Sequence, residues 1–150
     1  MSFLITKQGY EKLKTELQYL VNVERPRTLE LLSNSRVIGD AQLEDSEYIF
    51  ARDEQDKIEN RISYLSELLN NAKPIELKEQ YNTVEFGATI TLLDCDTNLK
   101  TKYTIVSSVE SNPAQGFISI EAPIIKELLG ASVGDYAEFN DKEYELLEIS

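Results

Sequence analysis

Four acidic side chains fall within eight consecutive positions: Asp40, Glu44, Asp45 and Glu47. Hard divalent cations bind oxygen ligands, and Mg2+ commonly takes one or two carboxylates while keeping several waters. A pair of exposed acids is therefore a partial Mg2+ ligand set, to be completed by carboxylates from a partner. The plainer role for the same residues is structural. Acids in the first turn of a helix cap it and complement its dipole, for about 0.3–1 kcal/mol per charge, and spacing alone favours that role. Arg36 and Arg52 flank the acidic run and carry the charge to pair with it. Lys14, Arg25 and Arg27 lie upstream and could touch a partner or RNA, although a solvated helix face is the default for such residues.

Other chemistries lack their residues. The 150-residue chain has no histidine and one cysteine, Cys95, so a zinc site, a histidine-dependent triad and an internal disulfide have no ligands, base or second sulfur. Cys95 stands between Asp94 and Asp96, whose charges raise a thiol pKa and oppose nucleophile chemistry. The net charge of −12 argues against a protein that grips nucleic acid by neutralising phosphates. Residues 1–76 carry 10 basic and 14 acidic side chains, and the remainder 5 and 13. No apolar run approaches the ~20 residues of a membrane span, and the first residues are too short an apolar stretch for a signal peptide. The expected location is the cytoplasm, with no membrane partner.

Two helices must position the acidic run. Thr6 is a candidate N-cap, and Tyr10, Leu13, Leu17 and Leu20 recur at helical spacing. Pro26 should kink this helix without ending it, after which Leu29 and Leu32 resume the stripe. A second seam runs through Tyr48, Ala51, Gln55, Ile58, Ile62, Leu65, Leu69 and Ala72 in alternating steps of three and four, the spacing of a coiled coil. Gly39 can end the first helix, and Asp45 or Ser46 can cap the second. Two helices of similar length across so short a connection are antiparallel neighbours. Roughly thirty residues at ~1.5 Å each make an arm about 45 Å long.

Asn70-Asn71-Ala72-Lys73-Pro74 stops the second helix. Strand signals then appear at Thr83–Phe86, Ala88–Leu93, Thr101–Val106, Phe117–Ile120 and Tyr144–Ile149, with a short helix at Pro123–Leu129. The fold class is thus α+β in two domains: an antiparallel α-helical coiled-coil hairpin over residues 1–75 with an acidic tip near 39–47, a linker at 76–82, and an α+β domain with a mostly antiparallel sheet at 83–150.

Gly39-Asp40, then Glu44-Asp45-Ser46-Glu47-Tyr48, then Ala51-Arg52-Asp53-Glu54-Gln55 resembles the tip segment of the bacterial Gre transcript cleavage factors, GreA type. That family reads Gly-Asp, a short gap, Glu-Asn-Ala-Glu-Tyr and Ala-Arg-Glu. Further short matches follow in the same order, among them Glu24-Arg25-Pro26, Phe86-Gly87-Ala88-Thr89 and Ser119-Ile120-Glu121-Ala122-Pro123-Ile124. The resemblance implies an FKBP-like C-terminal domain that docks on RNA polymerase at the rim of its secondary channel while the hairpin passes inside. It implies stimulation of the polymerase's own cleavage of backtracked RNA, so the nascent RNA 3′ end is an indirect partner and the protein is no enzyme by itself.

By carry-over, Asp40 and Glu44 are the catalytic and metal-binding pair, sharing a weakly held Mg2+ with polymerase carboxylates in a two-metal site. Glu47 and Tyr48 support the tip, and Arg36 and Arg52 face RNA or polymerase. The expected state is a monomer, and the FKBP-like fold does not imply prolyl isomerisation. One departure stands out: Ala41, Gln42 and Leu43 make three residues between Asp40 and Glu44 where the family has two, with Asp45 as the substitute ligand. That spacing keeps open a channel-binding regulator that modulates polymerase without cleavage; a third reading is an unrelated coiled-coil interaction module.

Overall fold

The computed structural model describes residues 2–38 and 46–150, with the side chains of 36–38 excepted. The chain divides into two compact units: Tyr10–Ala72, and Met1–Gly9 together with Lys73–Ser150.

Helix α1 (Lys7–Tyr19) begins at the expected cap, where the Thr6 hydroxyl accepts a hydrogen bond from Gly9 N–H at 3.0 Å. Between α1 and α2 (Arg25–Ile38), residues Leu20–Glu24 form a π-helical turn in which Arg25 N–H donates to the Leu20 carbonyl. Pro26 is the cause. It has no N–H to offer the Asn22 carbonyl, and its ring would strike that carbonyl in a regular α-helix. The interruption expected at Pro26 therefore takes the form of a widened turn just ahead of it. Helix α3 (Ser46–Asn71) runs antiparallel to α1 and α2, as its ion pairs show: Glu16 meets Arg61, Arg25 meets Glu59, and Arg27 approaches Glu54.

The hairpin core is Leu20, Ile62 and Leu65, with Leu13, Leu17, Val21, Ile58 and Leu68 packed against them. Farther along, the buried side chains are small or polar: Thr28, Ser35 and Ala51. The Thr28 hydroxyl donates to the Arg25 carbonyl at 3.0 Å and Ser35 to the Leu31 carbonyl at 2.7 Å, which satisfies each inside its own helix. The expected stripe through Leu29 is corrected. Leu29 is 46% exposed while Thr28 is fully buried: counted from Leu20, Leu29 lies off the seam with or without the π-turn, whereas the extra residue in the turn brings Thr28 onto it.

In the second unit, β1 (Phe3–Thr6) pairs with β2 (Ala72–Ile75). The five-stranded sheet has the order β5-β4-β3-β7-β6, built from β3 (Thr89–Asp94), β4 (Lys100–Val106), β5 (Phe117–Ser119), β6 (Tyr136–Phe139) and β7 (Lys142–Ile149). All pairs in it are antiparallel except β4 with β5. A register shift opposite Thr91–Leu92 lets β7 place both Leu146 and Ile149, three residues apart, on the core face. Helix α4 (Pro123–Leu128) contributes Ile125 and Leu128 to that core.

The strand expected at Thr83–Phe86 is not formed. Val84 and Phe86 are buried, as their alternation suggests, but Val84 exchanges hydrogen bonds with Ala131 and Gly130 instead of a strand. Gly87, at φ +92°, then turns the chain. Tyr81, within the stretch read as linker, is a core residue whose hydroxyl accepts Lys78 N–H at 2.9 Å.

Candidate functional site

The connection between α2 and α3 carries the acidic run. Asp40, Glu44 and Asp45, with the helix stop expected at Gly39, lie outside the described residues. What is described is the frame that holds them. Arg36 sits in the last turns of α2, its side chain outside the described set. Ser46 opens α3, Glu47 is exposed in its first turn, and Tyr48 is half-buried. Arg52, just over one turn on, is exposed and makes no ion pair with a described residue.

Between the helices near this end lies an open groove of about 440 Å³ lined by Leu31, Asn34, Ser35, Ser46, Glu47, Phe50 and Ala51. Phe50 is 61% exposed, a feature the seam pattern did not single out. Its position off the three-and-four spacing was the available signal.

Of the upstream cations, Arg25 and Arg27 on α2 are occupied, whereas Lys14 on α1 is exposed. Arg25 makes a bidentate pair with Glu59, donating at 2.9 and 2.8 Å, and this bond raises its pKa. Arg27 donates to Glu24 at 3.0 and 2.8 Å and approaches Glu54 at 3.9 Å. The Glu24 carboxyl is held below the usual carboxylate range, chiefly by the Arg27 bond. These arginines brace the hairpin. Among the described residues no group of three or more His, Cys, Asp or Glu could hold a metal ion.

Residues 3–73 match the family model for the N-terminal region of transcription elongation factors, and residues 78–150 match the GreA/GreB C-terminal model. The chain belongs to the GreA/GreB family. It is 44% identical to transcription elongation factor GreA of Nautilia profundicola over 137 residues, 91% of this chain and 84% of the relative. It is 41% identical to that of Helicobacter hepaticus over 150 residues, 97% of this chain and 91% of the relative. Among solved structures, Gfh1 of Thermus aquaticus is 28% identical across 99% of this chain and 97% of its own, at a TM-score of 0.47, too low to bear on function. Within this GreA/GreB frame the described part of the hairpin contributes Glu47, Tyr48 and Arg52 beside the tip. No described helix is long and apolar enough to cross a membrane.

Proposed function

We propose that this protein is a cytoplasmic transcription elongation factor that acts on RNA polymerase through its secondary channel and stimulates cleavage of backtracked nascent RNA. The observation that carries the reading is the joint match of residues 3–73 and 78–150 to the two GreA/GreB regions. The described structure supports it with two antiparallel helices whose connection contains Asp40 and Glu44.

In this reading the C-terminal unit, taken as FKBP-like, docks on the polymerase, and the hairpin enters as a monomer. Asp40 and Glu44 are hard oxygen donors, so the donor set fits Mg2+, and two carboxylates leave the remaining positions to water and polymerase ligands. The bound ion would supply Lewis acidity and an activated water in a two-metal arrangement. Asp45 stands next in sequence as a substitute donor. Glu47 and Tyr48 hold the base of the tip, while Arg36 and Arg52 offer cations to RNA phosphate or polymerase acids. The chain is a contributor to another enzyme's site and has no nuclease activity of its own.

The test uses stalled, backtracked elongation complexes with end-labelled RNA and Mg2+. Short 3′ fragments should appear on adding the protein and vanish with Asp40→Ala or Glu44→Ala. Polymerase binding without fragments would overturn the cleavage reading and favour the channel-binding regulator that the three-residue spacing keeps open.

A further inference from the structure

We propose that Pro26 is a positioning residue: by enforcing the π-turn at Leu20–Glu24 it sets the rotational phase at which α2 delivers its far end to the tip. A π-turn is one residue inserted into an α-helix, and each α-helical residue turns the chain by about 100°. All of α2 beyond the turn is therefore rotated by roughly that angle relative to an unbroken helix.

Three described positions report the rotation. Counted from buried Leu20 in an unbroken helix, Leu31 would lie about 1100° on, three turns plus about 20°, and so on the seam. Leu31 is instead exposed and Leu32 is half-buried. Arg25 would lie about 140° from Leu20 and point away from α3, yet it makes a bidentate pair with Glu59 on α3. Thr28 would lie about 80° off the seam, yet it is fully buried. Leu31 and Leu32 thus make two packing registers available to one sequence, and Pro26 selects the second. The backbone leaves α2 at Ile38 with whatever phase the turn has set. Asp40 follows two residues later in sequence.

The role in cleavage rests on the proposed function; the phase does not. In the full-length protein, Leu31→Ala and Leu32→Ala are made in three backgrounds: wild type, Pro26→Ala, and Pro26→Ala with exposed Asn22 deleted. The deletion removes the inserted residue and restores the phase with a plain α-helix. Urea unfolding should find Leu32→Ala the costlier truncation in wild type, Leu31→Ala the costlier in Pro26→Ala, and the original order in the deletion background.

Transcript cleavage should fall on the order of a hundredfold in Pro26→Ala, the scale of a misplaced reacting group, and recover in the deletion background. Polymerase binding should stay unchanged throughout. An unchanged leucine order in Pro26→Ala overturns the phase assignment, and a reversed order with intact cleavage overturns the positioning role. If wild-type protein gives no cleavage, the functional reading fails while the leucine order still decides the phase.

Discussion

Asp94 closes the turn after β3 on itself: its Oδ1 accepts Asp96 N–H at 3.0 Å and Thr97 N–H at 3.4 Å, and Lys142 stands 3.7 Å from Oδ2. The Asp96 bond is the main reason its carboxyl titrates below the usual range. A lowered folded pKa gives stability that is complete above the unfolded value near 3.9 and is lost as pH falls through the folded value. Asp94→Asn should therefore lower the melting temperature at pH 7, and the two proteins should converge as the pH is taken well below about 4. Thermal melts across that range check it. A second substitution tests geometry. Gly87 has φ +92°, and an added Cβ would stand 2.5 Å from the Tyr81 hydroxyl, so Gly87→Ala should cost more than about 1 kcal/mol in denaturant unfolding. Cys95 marks what sequence could and could not tell at this scale. The acids flanking it do raise its thiol pKa, but burial comes first and Glu143 and Glu145 come next. Those two arrive from β7 through pairing, and pairing partners some fifty positions away leave no local mark.

Along α3 the buried residues change character. Ile62 and Leu65 meet Leu20 in an apolar cluster, whereas Ala51 packs in the half of the hairpin where Thr28 and Ser35 are the buried residues of α2. Leu65→Ala should cost about 2–5 kcal/mol, read from urea unfolding. Amide exchange in α3 should be slowest around Ile62 and Leu65 and faster around Ala51, because a segment opens less readily the more apolar surface its opening brings into water. The α3 seam was legible from Tyr48 to Leu65 because coiled-coil spacing persists there; beyond it Leu68 rather than Leu69 packs against the apolar cluster, and Ala72 opens β2. The phase of α2 was not: a proline announces a break in the ladder, without saying whether the break is a kink, a stop or a π-turn. Strands β1, β2 and β6 were missed for other reasons. β1 and β2 are four residues each and pair with one another from almost seventy positions apart, so neither carries a local mark. β6 pairs with β7 across the two-residue turn Asn140–Asp141, both at positive φ, a hairpin signal in the sequence that the strand pattern alone did not use.

At the scale of the molecule, the N-terminal segment joins a unit made mostly of the last half of the chain. Glu110 is one fastening. Its Oε2 accepts Ser107 N–H at 3.2 Å, the Ser107 hydroxyl at 2.7 Å and Thr6 N–H at 3.3 Å, and its Oε1 accepts the Thr6 hydroxyl. Helix α1 has no acid in its own first turn, so Glu110 supplies the negative charge its N-terminus favours. Glu110→Ala should speed proteolysis and amide exchange at residues 2–9 ahead of the rest of the unit. Nothing in the first nine residues hinted at this partner, since the two ends of the bond are 104 positions apart. That separation also fixes an order of events during synthesis. At roughly 5–20 residues per second, Thr6 waits on the order of 5–20 s for Glu110 to be made. Residues 72–75 are made well before then, so β1 has its partner β2 in hand before Glu110 exists to fasten the end of that strand.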